Sequence, residues 1–112
     1  MRDDKARLGD ILEAIGAIER HHPKDRSVLE ADEMLQVWLL HHLQIIGEAA
    51  RGLTEALKQR HPEVPWAELS AMRNVLVHQY FGIDSELVWQ ALRQDLSPLK
   101  ASVLAILTEL GD

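Results

Sequence analysis

The chain has 112 residues, 46% of them apolar and 27% charged, which fits one globular domain over residues 1–112 and excludes a disordered polypeptide. It has no cysteine, so neither disulfides nor thiolate metal ligation can hold it together. A formal charge of −6 argues against a broad nucleic-acid coat and leaves room for a focused anion site.

The first residues, Met1-Arg2-Asp3-Asp4-Lys5, carry no apolar signal core, and no run approaches the ~18 apolar residues of a membrane span. The expectation is a cytoplasmic chain with no membrane partner. Leu8, Ile11, Leu12, Ile15 and Ile18 then recur at helical spacing and predict a helix to about Arg20, capped by Asp3 or Asp4. His21-His22-Pro23-Lys24-Asp25 breaks it.

Ser27, with Glu30 three positions on, reads as a capping box. A long helix is expected from roughly Asp32 to Gln59. Leu39, Leu43, Ile46, Ala50, Leu53 and Leu57 form its bundle seam, and Trp38, Ile45 and Ala49 a second apolar row. Apolar residues on two sides imply a core face plus a subunit interface. Gly47 in mid-helix suggests close packing there.

His61-Pro62-Glu63-Val64-Pro65 forms a loop, and Pro65-Trp66 opens a helix carrying Leu69, Met72 and Leu76, with Gly82 as its stop. Asp84 or Ser85 caps a last segment whose Leu92, Leu96, Leu99, Val103, Ile106 and Leu110 repeat the seam spacing. Ser97-Pro98 reads as an N-cap with proline at the first helical position, so a kink or split is expected there. No alternating strand pattern or hairpin turn is present. The fold class is therefore all-α, an antiparallel bundle of four or five helices.

The stretch from Met72 to Gly82 concentrates the chemistry: Arg73, Asn74, His78 and Tyr80 fall within eight residues. They supply a fixed cation, an orienting amide, a group titrating near neutrality and a hydroxyl. On an unbroken helix Asn74 and His78 share a face, while Arg73 and His78 diverge by about 140°. Either the helix ends near His78, or a second subunit brings its own copy alongside. The two-sided long helix favours the second arrangement. Such a cluster suits metal-free cleavage of RNA, with imidazole as general base or acid on the ribose 2′-hydroxyl and arginine on the scissile phosphate.

Set against this is the plainer possibility of a core histidine and an ion-paired arginine, because a lone Arg-x4-His is a weak signal. Nothing beside His78 offers a second metal ligand at helical spacing, so no metal and no cofactor are expected. His21-His22 and His41-His42 are adjacent pairs, poor chelators better suited to solvated or capping roles. Glu48, beside Gly47, either faces solvent or pairs with a cation such as Arg73. Trp38, Trp66 and Trp89 are most simply core or interface anchors.

Arg73-Asn74-Val75-Leu76-Val77-His78-Gln79-Tyr80 resembles the Arg-x4-His-x-Tyr signature of HepT-like proteins, within the HEPN superfamily. Asp10–Ile15, Ile45–Ala50, His61–Trp66 and Tyr80–Asp84 resemble the same family in the same order. The resemblance implies a helical homodimer, the toxin of a type VII toxin–antitoxin pair, acting as a metal-independent ribonuclease on RNA and not DNA. It implies as partner a minimal nucleotidyltransferase of the MNT type, which silences the toxin by transferring AMP onto the motif tyrosine. By position, Arg73 and His78 would be catalytic, Asn74, Glu48 and His41 supporting, and Tyr80 modified. Gln79 stands where many relatives have glycine, and His41 where many carry arginine. The competing functions are a non-catalytic nucleotide- or substrate-binding companion of the nucleotidyltransferase and a purely structural helical dimer.

Overall fold

Asp3 starts the first helix by accepting a 2.8 Å hydrogen bond from the Ala6 amide, and α1 runs from Asp4 to Arg20 as expected. Its Leu8, Ile11, Ile15 and Ile18 are buried against the core. The computed structural model describes residues 3–75, 77–78, 82–83 and 85–111, with the backbone alone at 72–75, 77–78 and 82–83.

The next start signal lies two residues earlier than Ser27. Asp25 caps α2 (Arg26–Ala31), accepting from the Val28 amide at 3.1 Å and from the Ser27 hydroxyl at 2.6 Å. A carboxylate is the stronger acceptor, so the serine becomes its donor rather than the cap. Those bonds, Ser27's first, hold the Asp25 carboxyl below its ordinary value. Asp32 then caps α3 (Glu33–Gly52) through the Leu35 amide at 3.0 Å.

The single helix expected to Gln59 is two. It stops at Gly52, Leu53 is extended, and Thr54 caps α4 (Glu55–Arg60) through the Leu57 amide. Asp4 reinforces the break from α1, accepting from the Thr54 amide at 2.9 Å and its hydroxyl at 2.6 Å. The seam survives the break, because Leu39, Leu43, Ile46, Ala50, Leu53 and Leu57 are all buried. The second row divides. Ala49 is buried, and Trp38 and Ile45 are half-buried.

In the loop after α4, the Trp66 indole donates to the His61 carbonyl at 2.9 Å, fixing the start of α5 (Trp66–Val75). The His61 ring lies between Glu63 and Glu109. After α5 comes a short antiparallel ladder that no alternating pattern announced: β1 (Val77–His78) against β2 (Gly82–Ile83), with Val77 opposite Ile83 and His78 opposite Gly82. Gly82 is therefore a strand residue and not a helix stop.

The last rod comprises α6 (Ser85–Gln90), a π-helical turn (Ala91–Asp95) and α7 (Leu96–Glu109). Ser97 and Pro98 lie inside α7, so they are not its cap. Pro98 has no N–H for the Gln94 carbonyl and its ring crowds that carbonyl. The π turn directly upstream accommodates the misfit, and the rod neither splits nor stops. Leu92, Leu96, Leu99, Val103 and Ile106 remain buried across it.

The architecture is the expected all-α bundle, in which α1, α3, α5 and the α6–α7 rod are the main pieces among the described residues. α3 packs on both α1 and α5, α1 also meets α7, and β2 touches α3. No helix among the described residues is long and apolar enough to cross a membrane.

Candidate functional site

The backbone of the Met72–Gly82 stretch differs from the helix that its apolar spacing suggested. Arg73 and Asn74 lie in the last turn of α5, which ends at Val75, and His78 lies in β1. Asn74 and His78 are therefore not i, i+4 neighbours on a helix face. The 140° divergence between Arg73 and His78 does not apply either, because the chain leaves the helix between them. Of the two arrangements weighed from the sequence, the backbone has the one in which the helix ends near His78. The side chains of Arg73, Asn74 and His78, and Tyr80 altogether, lie outside the described residues.

The two supporting residues on α3 are described, and they share a groove. His41 and Glu48 are seven positions apart, two helical turns and ~10 Å along one face. Both are exposed, and with Arg7, Asp10, Gln44, Ile45 and Ala49 they line a cleft of about 440 Å³ between α1 and α3. Asp10 and Glu48 each already hold a polar interaction. The groove offers a guanidinium, an imidazole, an amide and two carboxylates, enough to read hydroxyls and to hold a phosphate by the arginine fork.

Neither Arg7 nor Asp10 was expected as a site residue. The available signal was their place beside Leu8 and Ile11 on α1, which puts both on the shoulder of the buried stripe. Arg7 folds over the end of α3, where its guanidinium occupies the space a Cβ at Gly52 would take, and its Nε is buried without a hydrogen bond. A cation there meets the negative end of the α3 dipole.

The paired histidines are not simply solvated. His21 closes α1, its amide bonding the Ile18 carbonyl, so one capping role holds. Its ring meets Trp38 edge-on at 4.5 Å, and the His42 ring lies tilted against Trp38 at 4.1 Å while its Nδ1 lies 2.8 Å from the Trp38 carbonyl. His41 stands edge-on to His42 at 5.1 Å.

Beside His41 the α3 surface turns apolar. Met34 is 83% exposed and Val37 55%, and with Trp38 they form a patch on the side of α3 away from its seam. This is the N-terminal extension of the second apolar row.

Comparison with known proteins adds an independent line. A family model described as Ribonuclease HepT-like matches residues 11–106. A protein of Methanocaldococcus jannaschii named "Putative RNase MJ1380" is 38% identical over 103 residues, covering 91% of this chain and 94% of that one. "Probable ribonuclease HepT" of Thermococcus cleftensis is 37% identical over 103 residues, covering 88% of this chain and 91% of its own. No solved structure matches.

Proposed function

The chain belongs to the Ribonuclease HepT-like family, and from that premise we propose that it is a metal-independent RNA endonuclease, the toxin of a HEPN/MNT toxin–antitoxin pair. The observation that carries this reading is the family match across residues 11–106, which includes Arg73, His78 and Tyr80 in their signature spacing.

In this reading His78 removes the proton from a ribose 2′-hydroxyl, the 2′-oxygen attacks phosphorus, and the 5′-oxygen leaves with a proton. The products are a 2′,3′-cyclic phosphate and a 5′-hydroxyl. Imidazole suits both proton transfers near neutral pH. Arg73 holds the phosphate by its fork and stabilises the charge that develops on its oxygens. A homodimer supplies two copies of the pair, one imidazole for each proton. The exposed Met34–Val37–Trp38 patch supports such a dimer as its apolar contact. Asn74 orients the site, and His41 and Glu48 flank the RNA path on α3.

Control falls to Tyr80. The nucleotidyltransferase partner joins the phenolic oxygen to the α-phosphorus of ATP, and pyrophosphate leaves. The added AMP brings bulk and negative charge two residues from His78, opposing RNA by sterics and like-charge repulsion.

The test is cleavage of a defined RNA in EDTA. Wild type should yield cyclic-phosphate ends, and His78→Ala should lose about 10²–10⁴-fold in rate. Cleavage that persists in both His78→Ala and Arg73→Ala sinks the assignment. The net charge of −6 favours a second reading, a non-catalytic companion of the nucleotidyltransferase. It predicts ATP-dependent labelling of Tyr80 with no RNA cleavage by the unlabelled protein.

A further inference from the structure

On another part of the bundle, a cleft of about 500 Å³ runs between α5 and the α6–α7 rod. Buried Val64, Leu69, Ala91 and Leu99 form its floor. Glu63 and Glu68 stand on one wall and Asp95 on the other, and no described lining residue is a cation. Glu63 lies against His61, whereas Glu68 and Asp95 carry no ion pair among the described residues. Burial first, and the nearby Glu68 second, push the Asp95 carboxyl above its ordinary value. Two carboxylates thus face one another over apolar ground, without a counter-charge among the described residues.

The dimensions choose among cationic occupants. Lining residues on the rod extend from Leu87 to Ser102, a length of roughly 20 Å at ~1.5 Å per residue. That length suits a linear chain that carries its charges at separate points along the slot. The three carboxylates do not converge into a metal-holding group, so their charges call for separated cations and not a single ion.

We propose that this cleft binds a linear aliphatic polyamine, with its methylenes on the Val64–Leu69–Ala91–Leu99 floor and its ammonium groups at Glu68 and Asp95. The proposal does not rest on the ribonuclease reading.

The experiment is calorimetric titration of the RNA-free protein with spermidine, an α,ω-diaminooctane and hexamminecobalt(III), a trivalent cation with no methylenes. Saturable binding of both amines is expected, with hexamminecobalt(III) much weaker. Glu68→Gln/Asp95→Asn should weaken the amines about tenfold, the loss of two partly exposed ion pairs. Glu13→Gln/Glu33→Gln removes the same charge from exposed positions elsewhere and should change little. Equal weakening in both double variants, equal binding of hexamminecobalt(III), or no saturable binding would each overturn the proposal. Methyl resonances of Leu69, Leu87 and Leu99 should shift with the diamine. Unmoved methyls would overturn it even if a variant failed to fold.

Discussion

Arg7 lies across Gly52, its guanidinium filling the position a side chain at residue 52 would need. Replacing Gly52 by alanine gains up to ~1 kcal/mol of helix propensity at the end of α3 but displaces the arginine. Gly52→Ala alone should therefore be close to neutral, and the gain should emerge once Arg7→Ala has cleared the space. Urea denaturation of the four proteins in this cycle should show a coupling of about 0.5 kcal/mol or more. Simple additivity would mean that the arginine swings away at no cost.

Asp4 and Thr54 tie the start of α1 to the α3–α4 break through two hydrogen bonds, at 2.9 and 2.6 Å. Both bonds are exposed, so Asp4→Ala should cost about 1 kcal/mol and not the larger figure of a buried pair. Thr54→Val, which keeps the amide donor but loses the hydroxyl, should cost less. Equilibrium unfolding of each variant measures the difference.

The break itself shows where sequence reading succeeds. The spacing from Leu39 through Leu57 identified every buried seam position, because burial depends on which face a residue occupies and that face runs through the interruption. It could not show that Leu53 is extended, since the cause is a carboxylate fifty positions earlier. The ladder at His78 was hidden for a related reason. Two-residue strands are too short to alternate, and Val75, Leu76 and Val77 read equally well as a helix face. Pro98 was the opposite case. It was correctly seen as a disturbance, but the disturbance lies upstream of it, at the carbonyls it crowds.

Asp95 provides a pH test. Its folded-state pKa is raised above the ordinary 3.8, so the folded protein binds this proton more readily than the unfolded chain does. Between the ordinary and raised values stability falls as pH rises, and the penalty is complete above the raised value. Asp95→Asn should be more stable than wild type at neutral pH, and the advantage should vanish below the ordinary carboxylate value. Urea midpoints across acid and neutral buffers check the sign.

Pro98→Ala returns an N–H to the Gln94 carbonyl. The turn from Ala91 to Asp95 should tighten toward α-helix, with a gain of no more than about 3 kcal/mol. Hydrogen exchange at those five amides should slow. Unchanged exchange would mean that the wide turn is held by packing and not by the proline.

Tyr80→Phe should leave no acceptor for AMP. With the nucleotidyltransferase and ATP present, intact-mass spectrometry should show adducts on wild type and none on the variant. The variant's RNA cleavage should then resist inactivation. Adducts on the variant would place the modification at another residue.

The wide turn at Ala91–Asp95 also holds slack in the rod. A π turn absorbs one residue beyond the α-helical repeat, so removing one residue there would let the segment close as ordinary helix with α6 and α7 still in phase, whereas tightening it at its present length would rotate α6 by about 100° relative to α7. Ser85 begins α6 soon after β2, so that rotation would change the phase at which the chain leaves the strand pair containing His78. The rod is thus a register for the motif stretch. Its winding can alter the alignment of that stretch through a change far along the chain, without replacing any residue within it.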